Sequence, residues 1–178
     1  YGLLIPDEGK VFWGDRDIEK KRTEYLEHIG IVTADERSLY HKLSARENLY
    51  YIGRLHNIPK KELNERITEL LDRLNLADDS TLVENFSTGM KKKVMVARAF
   101  LNDPDIIFAD EVMNGLDTDT CNTVEEMFQE AVEKGKTVFL VSHTGVQDLT
   151  HVRSYLVEGG HICYVESSEK IPDDRSEI

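Results

Sequence analysis

An α/β fold, with a mostly parallel sheet core interrupted by a helical subdomain, is predicted by this sequence on three observations. The run Ile106-Ile107-Phe108-Ala109 is apolar at every position, as expected of a parallel strand covered by helices on each side. A segment of helical period and a second apolar run, Val138 to Val141, follow it in the strand, helix, strand order of a βαβ unit. Between an earlier strand and this unit lie further segments of helical periodicity, which places inserted helices inside an α/β core.

Composition bounds the rest. With 178 residues, 40% of them hydrophobic, the chain can bury a real core in one domain of ordinary size, or one plus a small subdomain. Its 34 acidic and 22 basic side chains give a net charge of −12, which repels phosphate backbones and argues against nucleic acid as a partner. Cys121 and Cys163 stand far apart with no CxxC spacing, so neither a disulfide framework nor a zinc site is indicated, and free thiols in a reducing cytosol are expected. The longest apolar runs, such as Thr137 to Val141, are strand-length and far short of the ~20 residues that cross a bilayer. Tyr1 rather than Met comes first and no leader pattern follows, so the beginning of the gene product is expected to be absent.

Along the chain, Gly9 to Trp13 and Ile29 to Thr33 read as short strands, the first after the turn-like Pro6-Asp7-Glu8-Gly9. Ser44-Ala45-Arg46-Glu47 fits a capping box, with Leu49, Ile52 and His56 or Leu55 on one helical face behind it. A second helix has Pro59 in its first turn and Leu63, Ile67, Leu70, Leu71 and Leu74 on one side. The third begins near Ser87 and stacks Met90, Val94, Ala97 and Leu101. Within the βαβ unit, Val124, Met127, Phe128, Ala131 and Val132 share a face and Gly135 suits the C′ position. Val152 to Val157 and Ile162 to Val165 read as two strands joined through Gly159-Gly160, with a loose polar tail after Lys170.

The chemistry concentrates at Asp110-Glu111. A hydrophobic strand that stops at adjacent carboxylates delivers them to the carboxyl edge of the sheet, where open α/β sheets bind ligands. There an Asp can hold Mg²⁺ and the next Glu can activate a water against a γ-phosphate. Taken alone, the pair reads equally well as a strand ending in solvated acids.

In context, these residues resemble the ABC ATPase family. Ile106-Ile107-Phe108-Ala109-Asp110-Glu111 is similar to its Walker B motif and Asn114-Gly115-Leu116-Asp117 to its D-loop, with Val112-Met113 where the family usually has Pro-Thr. Phe86-Ser87-Thr88-Gly89-Met90, continuing into Lys91-Lys92-Lys93 and Val96-Ala97-Arg98-Ala99, resembles the signature motif. Thr88 replaces a usual Gly and Met90 a usual Gln, while Ser87 and Gly89 are retained. An isolated Ser87 would read as a helix N-cap, whereas in the motif its hydroxyl and the flanking backbone N–H groups make an anion site at a helix start. Ser142-His143 resembles the H-loop. Aligning Ile29-Gly30-Ile31-Val32 with the family's strand puts Ala34 at the Q-loop position, with Asp35 or Glu36 close enough to substitute.

A P-loop, GxxxxGK followed by Ser or Thr after a strand, is not matched anywhere in the chain. Gly135-Lys136-Thr137 fails because position 130 is Glu and the triplet leads into a strand. Gly2 to Gly9 resembles the segment just downstream of the family's P-loop helix, so the missing strand, loop and helix are expected upstream of Tyr1.

The resemblance implies a P-loop NTPase-like core that lacks its N-terminal strand, P-loop and first helix. It divides into residues 1–41, a remnant of the core with the Q-loop, and 42–101, a helical subdomain ending in the signature helix. Residues 102–166 carry Walker B, D-loop and H-loop, and 167–178 form a flexible tail. It implies an ATPase using Mg²⁺, with Asp110 on the metal, Glu111 as general base and His143 on the γ-phosphate. Ser87, Gly89 and Asp117 would contact nucleotide, the first two across a dimer. The implied partners are a transmembrane permease and a second nucleotide-binding subunit, identical or different, on the cytoplasmic face of the cell membrane. The stretch Asp35 to Leu49 is similar to exporters whose permease is a separate small protein. The chain alone is expected to be inactive and to expose apolar core surface. Two other readings are a soluble ABC protein of DNA repair or translation and a non-catalytic, truncated or degenerate subunit serving as an interaction module. Against the first, Ala34 to Ser87 has neither heptads nor cysteine pairs. Against the second stand the retained Asp110, Glu111 and His143; for it stands the absent P-loop.

Overall fold

The computed structural model describes residues 2, 4–33, 38–142 and 152–165. Ala34, Asp35, Glu36, His143 and the tail therefore lie outside the described residues. The chain forms two compact units, Tyr1–Val141 and Ser142–Ile178.

In the first unit, β3 (Ile29–Val32), β4 (Ile106–Asp110) and β5 (Thr137–Val141) form a parallel three-stranded sheet in the order β3-β4-β5. Before it come a two-residue-per-strand hairpin, β1 (Phe12–Trp13) with β2 (Arg16–Asp17), and a short helix α1 (Arg22–Glu27). The strand expected over Gly9 to Trp13 is thus reduced to its last two residues. Gly9 has φ +82°, a left-handed backbone that breaks an extended run, and the pairing continues only as far as the partner strand reaches. The Arg16 guanidinium sits 5.0 Å over the Trp13 ring, which also packs on His28.

The inserted helices are α2 (Ala45–Leu55), α3 (Lys60–Arg73) and α4 (Thr88–Phe100), packed on one another, with a 3₁₀ turn at Val83–Asn85. The capping box forms as expected: Ser44 Oγ accepts from Glu47 N and the Glu47 carboxylate accepts from Ser44 N at 2.8 Å. On α2 the buried positions are Ala45, Asn48, Leu49 and Gly53, so Leu55 and His56 are exposed rather than on the packed face. The helix turns them away because Gly53 carries the contact with α3: a Cβ there would lie 2.2 Å from Leu63. Pro59 stands at the N-cap position, just outside the first turn of α3 rather than in it; Leu63, Ile67, Leu71 and Leu74 are buried as the spacing predicts, and Leu70 is half-buried.

One face of the sheet, with Val32, Ile107 and Ala109, packs into a core that includes Val94, Val96 and Ala97 of α4 and Val124, Met127 and Phe128 of α5 (Thr118–Glu133). This core runs on without a break into Leu49, Leu63, Ile67 and Leu71 of the helical layer. Helix α4 reaches β3 at backbone distance, since a Cβ on Gly30 would lie 2.2 Å from the Ala99 carbonyl oxygen. The opposite face differs from the expectation of cover on both sides: Phe139 stacks on Phe108 with ring centroids 5.0 Å apart, yet Phe139 and Val141 are 53% and 52% exposed. Gly135 ends α5 as predicted, at φ +81°, with Gly135 N–H donating to Val132 O and Lys136 N–H to Ala131 O.

In the second unit, β6 (Ser154–Glu158) and β7 (His161–Val165) pair antiparallel around Gly159-Gly160. Both glycines have positive φ, +55° and +81°, which is what a two-residue hairpin turn of matching twist requires.

Candidate functional site

The central strand β4 runs between two parallel neighbours and ends at Asp110, in register with Val141 at the carboxyl edge of β5. Glu111 prolongs the ladder by donating its N–H to Val141 O at 3.1 Å, then turns the chain with φ +53°. That left-handed conformation costs a non-glycine residue about 1–3 kcal/mol and persists only where the surroundings impose it. Here they do. The Glu111 carbonyl accepts from Lys92 Nζ at 3.0 Å and from Asn114 N at 3.3 Å. The Asn114 side-chain amide donates to the Glu111 carboxylate, and Lys92 Nζ also donates to Asn114 O. The carboxylate proposed from sequence as a base therefore has a defined orientation at the sheet edge.

Lys92 did not stand out in the sequence, where it is the middle of a three-lysine run. Its signal was positional: it shares the i, i+3, i+4, i+7 stripe of α4 with buried Met95, Val96 and Ala99, and is itself only 6% exposed. A lysine on an apolar stripe must take its ammonium to an acceptor, and the turn after β4 supplies two.

Ser87 is the N-cap of α4, its Oγ accepting from Met90 N at 3.2 Å. The capping and anion-binding readings are compatible, because the hydroxyl that accepts from Met90 keeps its own O–H to donate outward. Ser87 is exposed, and the first turn of α4 carries no acidic side chain to oppose an anion. A Cβ on Gly89 would come within 3.2 Å of the Gly115 carbonyl oxygen, so the helix start lies directly against the turn that follows Glu111. Asp117 is the N-cap of α5: its carboxylate accepts from Thr120 N–H at 2.9 Å and from the Thr120 hydroxyl. The Thr120 backbone bond holds the Asp117 carboxyl below its ordinary pKa. This capping role was not anticipated from sequence.

At its other end α4 reaches Ser38, which follows β3 in the chain. Arg98 donates to Ser38 O at 2.9 Å and to Ser38 Oγ at 3.1 Å, and burial pulls its pKa down. Buried Asn48 holds Tyr40 from both sides, accepting from its N–H at 2.8 Å and donating to its C=O at 3.0 Å. Of the residues singled out in sequence, Asp110, Glu111, Ser87 and Gly89 thus sit on elements that meet around the 111–115 turn. Asp117 caps the next helix, and His143, Ala34 and Asp35 lie outside the described residues.

A parallel sheet with carboxylates at its carboxyl edge and an inserted helical layer defines an open α/β protein of the kind that binds ligands at that edge. The profile described as "ABC transporter" matches residues 1–114, and the chain belongs to the ABC transporter ATP-binding family. It is 35% identical over 179 residues to the ABC transporter ATP-binding protein NatA of Bacillus subtilis, covering 98% of this chain and 72% of that one. Identity is 32% over 179 residues to the Nod factor export ATP-binding protein I of Sinorhizobium fredii, with 98% of this chain and 49% of that one covered. A fluoroquinolones export ATP-binding protein of Mycobacterium tuberculosis is 30% identical over 177 residues, with 98% and 57% covered. Among solved structures, an ATP-binding subunit of an ABC transporter superposes with a TM-score of 0.71 at 28% identity, covering 80% of this chain and 60% of that one. The dimeric post-hydrolysis state of the ATP-binding cassette MJ0796, bound to ADP and Pi, gives 0.67 at 25% identity, covering 80% and 66%. Among the described residues no helix is long and apolar enough to cross a membrane.

Proposed function

We propose that this chain belongs to the ATP-hydrolysing subunit of an ABC exporter, which couples hydrolysis to transport by a separate membrane permease at the cytoplasmic face. The observation that carries the reading is the orientation of Glu111 at the end of the central strand, with the Ser87 helix packed against the same turn. Export is supported by relatives whose names describe export, and pairing with a second nucleotide-binding subunit by the dimeric cassette it resembles.

In this reading Glu111 accepts the proton of the attacking water, and His143 contacts the γ-phosphate. Ser87 and the Gly89 backbone bind the γ-phosphate held by the second subunit. Asp117, besides capping α5, contacts the nucleotide. Asp110, a hard oxygen donor at the strand end, suits Mg²⁺, which supplies charge neutralisation when bound. Asp35 or Glu36 stands in for the Q-loop glutamine at the position of Ala34. The division at residues 41, 101 and 166 belongs to the same proposal. No P-loop sequence occurs in residues 1–178, so the chain by itself is proposed to be inactive.

The test is Glu111→Gln in the full gene product. ATP turnover is expected to fall by about 100-fold or more while an ATP-bound dimer accumulates, since only the base is removed. Turnover at the unmutated rate would exclude Glu111 from this role.

A further inference from the structure

We propose that Lys92 is a positioning residue that links the Ser87 helix to the Glu111 turn, so that the phosphate contact made by one reaches the base carried by the other. The proposal rests on the ATPase reading above, in which Ser87 serves the second subunit's nucleotide and Glu111 serves this subunit's own. A buried ammonium is tolerated only where its N–H donors are matched. Lys92 matches them with backbone carbonyls at both ends of one turn, Glu111 O at 3.0 Å and Asn114 O. Asn114 in turn holds the Glu111 carboxylate. The same ammonium therefore fixes the carbonyl of a residue whose φ is +53° and the residue that orients its side chain.

The connection is short and stiff. Lys92 lies five positions after Ser87 on one helix, and Gly89 between them is packed closely on the turn, since an added Cβ there would stand 3.2 Å from Gly115 O, tighter than an ordinary contact. A shift of the α4 N-terminus is carried into the 111–115 turn through packed backbone and a charged donor. Removing the ammonium while keeping the stem leaves α4 in its core and frees the turn.

The experiment compares Lys92→Met and Lys92→Arg, with Glu111→Gln as control, in the full gene product. Steady-state ATP hydrolysis and amide hydrogen exchange are both measured. For Lys92→Met, kcat is expected to fall about 10-fold or more with KM for ATP changed by less than about 2-fold. Exchange is expected to rise at the amides of Glu111, Asn114 and Leu116 and to stay unchanged in α2 and α3. Lys92→Arg, which keeps a cationic donor fork, is expected to restore most of kcat. Unmutated kcat and exchange in Lys92→Met would overturn the proposal, and so would faster exchange spread evenly over α2, α3 and α4. Should Lys92→Met fail to fold, Lys92→Gln takes its place under the same criteria. If Glu111→Gln retains full turnover, the ATPase reading fails instead, and the exchange pattern alone decides the link.

Discussion

Arg73 of α3 grips Glu130 of α5 through two parallel hydrogen bonds of 2.8 and 2.5 Å, joining the helical layer to the helix behind the sheet. The bond from Arg73 is the main cause holding the Glu130 carboxyl below its ordinary pKa. A depressed folded-state pKa means that the stabilisation is complete above the unfolded value of roughly 4.3 and is lost as pH falls through the folded value. Because the Glu130 side chain is 45% exposed, screening limits the pair to about 1 kcal/mol or less. Glu130→Gln is expected to lower stability by that amount at pH 7 in urea unfolding, with the difference shrinking as pH falls below the unfolded value. A difference that persists undiminished in acid would show that the charge pair is not its origin.

Substitution can separate the capping role of Ser87 from the phosphate-binding role proposed for it. Alanine removes the cap of α4 and is expected to cost about 1 kcal/mol, whereas aspartate caps as well as serine but sets a carboxylate where a phosphate should bind. Ser87→Asp is therefore expected to keep the unmutated melting temperature and lose ATP-driven dimerisation, read by size exclusion with light scattering. Dimerisation equal to that of the unmutated protein would confine Ser87 to capping.

Gly30 permits a close helix-to-strand approach in the core. A methyl group there would meet the Ala99 carbonyl oxygen at 2.2 Å, backbone against backbone, with no side chain able to give way. Gly30→Ala is expected to cost about 1–3 kcal/mol through forced separation of α4 from β3. Chemical denaturation measures it, and an unchanged midpoint would contradict the packing.

The absence of a P-loop sequence has a direct consequence for binding. Calorimetric titration of MgATP into the 178-residue chain is expected to give no saturable heat, because neither the backbone N–H cradle nor its lysine occurs in the sequence. Micromolar affinity would mean that the phosphates are held by other groups.

Much of the architecture was legible before any coordinates. Ser44 and Glu47 announced the start of α2, Gly135 the end of α5 and Gly159-Gly160 the β6–β7 turn, because caps and turns are chosen by interactions between near neighbours in the chain. Leu55 and His56 were misplaced because periodicity alone cannot say where a helix stops packing; Gly53 against Leu63 decides that. Gly9 to Trp13 shortened to Phe12–Trp13 for a related reason, since a strand extends only as far as its partner.

The site divides along the same line. Asp110 and Glu111 at a strand end, and Ser87 and Gly89 at a helix start, follow from the order of residues, because strand ends and helix caps are local. Only the tertiary structure decided that Lys92 belongs with Glu111 and Asn114, 19 and 22 residues away, and that Asp117 is held by capping α5. The pattern of a helix says which side is buried but not what waits there. Whether a lysine on that side is tolerated depends on carbonyls that an entirely different segment brings to it.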